Sequence, residues 1–150
     1  NGNVLTYEED GDADGVVDYR ETYTYDADGN LLMEEFGDAD GIVGARYTYT
    51  YDADGNVLTY EEDGARDDDA DGTVDYRETY TYDANGNVLT YEEDGETEGC
   101  YESCDSADGV VDYRETYTYD ANGNVLTYEE DGDADGVVDY RETYTYDCSG

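Results

Sequence analysis

The segment Asp18-Tyr-Arg-Glu-Thr-Tyr-Thr-Tyr-Asp26 contains the pattern that decides the fold. Its Tyr and Glu side chains alternate with Arg and Thr side chains, so a strand places the two sets on opposite faces. Val, Thr and Tyr are typical of a pleated, half-buried surface. We therefore predict a long strand over Val16–Tyr25, in which Val17 begins the face that carries the tyrosines.

The same segment returns from Asp75, Asp112 and Asp139, and loosely over residues 45–52. Each copy follows a shorter phrase of the type Asn3-Val-Leu-Thr-Tyr-Glu-Glu-Asp-Gly11, for which we predict a short strand over residues 3–9. Repeats of this kind predict a tandem architecture. The units begin near residues 3, 30, 56, 87 and 124.

We therefore predict an all-β chain with a single tandem-repeat domain over residues 1–150. About five β-hairpin units, with about ten strands, form an antiparallel meander or a spiral sheet. The insertions 65–68 and 96–106 fall in the same loop of the unit, so the repeated scaffold is left intact.

The turn between units, Asp26-Ala-Asp-Gly29, is typical of a tight hairpin with a left-handed Gly. With its flanks it reads Tyr23-Thr-Tyr-Asp-Ala-Asp-Gly-Asn-Leu-Leu32, which resembles the YD (Rhs-type) repeat. That pattern is Tyr-x-Tyr-Asp-x-x-Gly followed by a polar residue and Leu. The resemblance implies a secreted or surface-exposed β-hairpin array, of the kind that forms shells or stalks and serves as a scaffold.

The acidic loop inside each unit is not part of the YD pattern. Asp10-Gly-Asp-Ala-Asp-Gly-Val-Val-Asp-Tyr-Arg-Glu21 fits the ligand pattern of an EF-hand loop, in which Gly15 permits the sharp turn. Ca²⁺ requires several oxygen ligands, and alternate side chains of a curled loop converge on one point. Calcium is therefore the predicted cofactor. The other interpretation is that Asp-Gly runs only mark solvated turns.

Three loops carry a full ligand set, and the predicted ligands are Asp10, Asp12, Asp14, Val16 (carbonyl), Asp18, Glu21; Asp67, Asp69, Asp71, Thr73 (carbonyl), Asp75, Glu78; and Asp131, Asp133, Asp135, Val137 (carbonyl), Asp139, Glu142. A weaker site keeps Asp108, Asp112 and Glu115, with Cys104 and Ser106 at its first and third positions. The loop with Asp38 and Asp40 has lost its other ligands, and we predict that it is empty. The flanks are strands, as in the calcium loops of integrin-type β-propellers, which the loop also resembles. There the last Glu can instead run along the strand.

The composition limits the function. The formal net charge is −38, with 44 acidic residues against 6 basic ones, and such a chain would be disordered without metal binding and the strand pattern. No basic patch suits nucleic acid, and no apolar stretch is long enough for a membrane span. The chain has no His and only three Ser, so we predict that it is not an enzyme.

The tyrosines of successive units form columns across the predicted sheet. We interpret this face as a core, buried against a second layer or a neighbouring chain. Carbohydrate binding or electron hopping are the alternatives. The opposite face, with its Thr columns, can carry O-linked glycans.

The three cysteines, Cys100, Cys104 and Cys148, indicate disulfide bonding within the chain or between copies. The start Asn1-Gly-Asn3 and the end Tyr146-Asp-Cys-Ser-Gly150 correspond to the two halves of one inter-unit turn. We therefore expect copies to associate head-to-tail, as a homo-oligomer or filament. The predicted function is an extracellular, calcium-stabilised fibre subunit that is secreted or held at the cell surface. The alternatives are a fragment of a large YD-repeat adhesin stalk or toxin shell, and a soluble acidic calcium-binding protein.

Overall fold

The computed structural model describes residues 2–38, 40–64, 70–95 and 107–147. These residues form one antiparallel sheet whose strands follow the order of the chain. The prediction of an all-β meander of about five hairpin units is confirmed. The strands are β1 (Thr6–Glu9), β2 (Tyr19–Tyr25), β3 (Leu31–Asp38), β4 (Val43–Tyr51), β5 (Val57–Asp63), β6 (Tyr76–Tyr82), β7 (Val88–Asp94), β8 (Tyr113–Tyr119), β9 (Val125–Asp131) and β10 (Tyr140–Thr143).

Two strand boundaries differ from the prediction. β2 begins at Tyr19 instead of Val16, and β1 begins at Thr6 instead of Asn3. The Asp18 amide donates to the Glu9 carbonyl at 2.7 Å, and the Asp18 carboxylate accepts from the Gly11 amide at 2.8 Å. The residues before Tyr19 therefore belong to the acidic loop. Strands β5 to β9 each have 7 residues.

The turns between units are fixed by the Asp of the YD pattern. Asp52 Oδ1 accepts from the amides of Asp54 and Asn56, both at 2.9 Å, and Asp52 Oδ2 accepts from Asn56 Nδ2 at 2.9 Å. The Asn56 side chain, followed by its amide, holds the pKa of Asp52 below its usual range. Gly55 has φ 87°, a conformation that glycine adopts without strain. The same arrangement recurs at Asp26, Asp83 and Asp120.

One face of the sheet carries Arg, Thr and acidic side chains, and its ion pairs join neighbouring strands. The Arg of every second strand, from β2 to β10, pairs with the Glu that faces it on the preceding strand at 2.7 to 2.9 Å. Partly exposed pairs such as these contribute little stability each, but a slip of register would break all of them. The pairs are Arg20–Glu8, Arg46–Glu35, Arg77–Glu61, Arg114–Glu92 and Arg141–Glu129.

The other face, which we call the tyrosine face, carries the tyrosines and alternating glutamates. Strand contacts occur only between neighbours in the sheet, so the described residues form a single layer. Among them Tyr76, 3% exposed, is the one buried apolar side chain. The chain therefore does not supply a second layer within its described part. No helix in the described ranges is long and apolar enough to cross a bilayer.

Candidate calcium-binding loops and the tyrosine face

The first acidic loop is closed by two reciprocal hydrogen bonds. Asp10 Oδ2 accepts from the Gly15 amide at 2.9 Å, and Asp18 Oδ2 accepts from the Gly11 amide at 2.8 Å. We call this pair of bonds the loop bracket. Ala13 has φ 60°, so the chain curls left-handed inside the bracket. This curl brings alternate side chains towards the same side of the loop.

Carboxylate oxygens converge inside the first and last loops. The ligand atoms of each group lie within 4.8 Å of one another. Three carboxylates at this separation repel one another unless a cation lies between them. The two groups are Asp10, Asp12, Asp18 and Asp131, Asp133, Asp139.

The burial and the hydrogen bonds of Asp131 indicate whether a cation fits inside the last loop. The residue is only 6% exposed, and its Oδ2 accepts from the Gly136 amide at 2.9 Å. Its Oδ1 is buried and has no hydrogen-bond partner in the described structure. A buried, unpaired carboxylate oxygen is costly, and a bound cation would remove that cost. The donor set is oxygen alone, which fits the hard cation Ca²⁺.

Other predicted ligands of these two loops lie elsewhere. Asp14 and Asp135 accept from the amides of Val16 and Val137 at 2.8 and 2.7 Å, so they support the backbone curl. Glu21 lies on the tyrosine face, where it accepts from the Tyr19 hydroxyl at 2.8 Å and from the Tyr23 hydroxyl. Glu142 accepts from Tyr140 and Tyr144 in the same way. Each Glu therefore runs along its strand, outside the converging group. The carbonyls of Val16 and Val137 remain predicted ligands.

The third loop reveals a residue that the sequence pattern missed. Asp63 accepts from the Gly72 amide at 3.1 Å, and Asp75 Oδ2 accepts from the Gly64 amide at 2.9 Å. These bonds reproduce the loop bracket, so Asp63 occupies the place of Asp10. The predicted ligands Asp67 and Asp69 lie outside the described residues. Asp71 accepts from the Thr73 amide at 2.8 Å, and Glu78 lies on the tyrosine face.

The fourth loop has the same bracket. Asp94 Oδ2 accepts from the Gly109 amide at 3.0 Å, and Asp112 Oδ2 accepts from the Gly95 amide at 2.8 Å. Asp94 was not among the predicted ligands. The available signal was the phrase Tyr-Glu-Glu-Asp-Gly, which recurs at residues 7–11, 60–64, 91–95 and 128–132 and identifies Asp63 and Asp94 as equivalents of Asp10.

The loop predicted to be empty is a tight turn. Asp38 Oδ1 accepts from the amides of Asp40 and Ile42 at 3.0 and 3.3 Å. The Asp38 carboxylate therefore accepts hydrogen bonds from the amides of its own turn. The predicted disulfide residues Cys100, Cys104 and Cys148 lie outside the described residues.

The tyrosine face is a network of phenols that donate to carboxylates. Glu115 accepts from the hydroxyls of Tyr113 and Tyr128, both at 2.8 Å, and from Tyr117 at 2.6 Å. The Tyr128 ring also lies against Tyr117, with centroids 5.1 Å apart. The phenols thus donate hydrogen bonds to the glutamate carboxylates, which would otherwise repel one another on this face of the sheet.

This network changes the acid–base behaviour of the tyrosines. Partial burial, followed by the hydrogen bond to Glu21, raises the pKa of Tyr19 from 10.0 to about 12. Burial and a glutamate partner likewise raise the pKa of Tyr60 and Tyr91. An ionised phenol would lose its donated hydrogen bond and face a carboxylate of the same charge.

We expect the folded chain to lose stability as the pH rises above about 10. The protonated phenols are favoured in the folded state, so their contribution is complete below the ordinary tyrosine pKa and declines as the pH approaches the raised values. Absorbance at 295 nm and circular dichroism should show phenolate formation displaced upwards and coupled to unfolding. The chain in denaturant is the control. Equal titration midpoints in the folded and denatured chains would refute this prediction.

Comparison with solved structures supports the sheet fold. The crystal structures of TcdB2-TccC3-TEV and TcdB2-TccC3-Cdc42 both match with a TM-score of 0.56, at 22% and 20% identity. The matches cover 84% and 83% of this chain but only 6% of each solved chain. No protein-family model matches this chain, and no curated protein is similar to it at a significant level. The likeness establishes a shared sheet fold, to which the turns of this chain add the residues of the YD pattern.

Proposed function

We propose that the chain is a non-catalytic structural module, a calcium-stabilised segment of a YD-repeat scaffold that is secreted or exposed at the cell surface. The observation that carries the proposal is the convergence of three carboxylates in the first and last loops, at the ends of a sheet that has one layer. A single layer buries little apolar area, so metal binding at the loops would supply folding free energy.

The likeness to chains that are many times longer supports the scaffold interpretation. A repeating hairpin array can continue at both open edges, as in an adhesin stalk or a toxin shell. The repeated identical units offer no single tuned pair of acid and base, which is consistent with a structural role.

Calcium binding can be tested by replacing two converging carboxylates with isosteric amides. Asp12→Asn with Asp18→Asn should remove about one bound Ca²⁺ per chain, because the amides keep the loop bonds but lose the charge. Isothermal titration calorimetry would give the stoichiometry. The matched control, Asp38→Asn with Asp40→Asn, should leave it unchanged. An equal loss in both variants, or in neither, would overturn the proposal for this loop.

A second candidate function is a fibre of identical subunits, and the register of the outer strands favours it. β1 and β10 are the outer strands of the described sheet, and they repeat β9 and β8 in sequence. If β10 pairs with β1 of another copy in the β8–β9 register, Arg141 lies opposite Asp10 and Tyr144 lies opposite Tyr7. These pairs repeat the Arg114–Asp131 and Tyr117–Tyr128 pairs inside the sheet.

A further inference from the structure

The carboxylates on the two faces of the sheet have different partners. Arg alternates with the tyrosine-face residues in its strand, so every Arg of the described ranges lies on the opposite face. There each Arg pairs with a glutamate of the neighbouring strand. Among the described residues the tyrosine face carries glutamates but no cation. Its carboxylates are therefore hydrogen-bonded to phenols without being neutralised.

On this face two pairs of glutamates lie opposite each other on neighbouring strands. Glu78 on β6 lies opposite Glu93 on β7. Glu115 on β8 lies opposite Glu130 on β9. Like charges in this arrangement destabilise a sheet. The Tyr128 hydroxyl is 2.8 Å from Glu115 and 2.7 Å from Glu130, but it has one proton and donates to one carboxylate at a time. A partner that brings positive charge and further donors would stabilise this face.

A cleft of about 410 Å³ opens on the tyrosine face beside Glu78. The ring centroids of Tyr49 and Tyr60 are 5.2 Å apart, and those of Tyr80 and Tyr82 are 6.4 Å apart. A cation within about 6 Å of a ring centroid is attracted to the face of the ring. Aromatic walls beside a carboxylate therefore suit a cationic side chain. The cleft is lined by Tyr49, Val57, Tyr60, Glu78, Tyr80 and Tyr82.

The next unit repeats these groups. Glu115 takes the place of Glu78 in the repeat. It accepts from the Tyr117 hydroxyl at 2.6 Å, which is also the length of the bond from Tyr80 to Glu78. The rings of Tyr117 and Tyr119 are nearly parallel, with centroids 6.4 Å apart. A partner with several cations could therefore bind through more than one unit, and the second cation would bind as part of the same molecule.

We propose that the tyrosine face docks an arginine-rich segment of a partner protein, whose guanidinium groups pack on the phenol rings and pair with the glutamates. Arg fits this face better than Lys, because its planar guanidinium stacks on aromatic rings and bonds two carboxylate oxygens at once. An apolar second layer would instead bury the glutamate charges without a cation, which is costly. A second copy of the face would place carboxylates against carboxylates. The inference goes beyond the proposed scaffold function and does not depend on the calcium loops.

The test measures binding of a fluorescent peptide of repeated Arg-Gly pairs to the full chain, with saturating calcium and about 0.15 M NaCl to screen long-range attraction. Glu78→Gln with Glu115→Gln should weaken binding about tenfold or more, because the amides keep the shape and lose the charge. The matched control, Glu61→Gln with Glu92→Gln, removes the same charge from the opposite face and should change binding less than about twofold. An equal loss in both variants would show attraction to net charge alone and overturn the inference.

Two further measurements use the unaltered chain and do not depend on the folding of a variant. A Lys-Gly peptide of equal length and charge should bind several-fold more weakly, and equal affinity would contradict docking on the rings. A nitroxide on the Arg-Gly peptide should broaden the methyl signals of Val57, which lines the cleft, and spare those of Thr50 and Thr81 on the opposite face. Broadening of the Thr signals instead would refute the proposed face. Peptide binding that disappears as the chain concentration rises would assign the face to a second copy and equally refute the inference.

Discussion

Removal of calcium is expected to unfold most of the sheet. The described chain forms one layer with one buried apolar side chain, Tyr76, and carries a net charge of −38. At free calcium about a hundred times above Kd, each site stabilises the fold by about 2.7 kcal/mol. Two sites then contribute about 5 kcal/mol, which is comparable to the whole stability of a small domain. The loss of both should therefore shift the equilibrium to the unfolded chain.

The measurement is far-UV circular dichroism with calcium and then with excess chelator, in about 0.15 M NaCl. At this ionic strength, repulsion between charges more than about 8 Å apart is largely screened in both samples. A loss of signal in chelator therefore reports the loss of calcium from its sites and not a change in general charge screening. Mg²⁺ is the control cation, because it keeps its water shell and prefers octahedral geometry, and it should restore little of the signal. Unchanged spectra in chelator would contradict the prediction.

The second large effect is expected at the outer strand β10, where Thr143→Pro should abolish calcium-dependent assembly. The Tyr144 amide donates inwards to the Leu126 carbonyl at 2.9 Å, so the neighbouring Thr143 amide faces the open edge. An open edge is a template for another strand, and proline removes the donor that such a strand needs. The bonds between β10 and β9 remain in place. The chain should therefore fold normally but stay monomeric.

We expect this assembly to require bound calcium. Each bound ion cancels about two charges, which reduces the repulsion between copies that each carry −38. Light scattering and electron microscopy should show filaments of the unaltered chain with calcium, and monomers in chelator. Thr143→Val keeps the amide and the strand propensity, and it should assemble like the unaltered chain. The fibre hypothesis would be contradicted if Thr143→Pro formed filaments, or if the unaltered chain stayed monomeric in calcium.

Local sequence determined the strands, the turns and the register of this protein. The alternation of Tyr and Glu with Arg and Thr has a period of two, and a strand is the structure with that period. The Asp and Asn of each YD turn bond within five consecutive residues, so their arrangement follows from the turn itself. The same holds for the first and last acidic loops, whose ligands are close in sequence.

Only the tertiary structure decided which residues close the interrupted loops and whether the tyrosine face has a second layer within the described residues. Asp94 and Gly109 are joined across an insertion, and a spacing pattern that counts residues cannot detect a pair whose separation varies. The last Glu of each ligand pattern is drawn to the tyrosine face because phenols on its own and neighbouring strands donate to it, as Tyr117 and Tyr128 do to Glu115. Whether a tyrosine face packs against a second layer depends on contacts between elements far apart in the chain, and among the described residues the strands contact only their neighbours in the sheet.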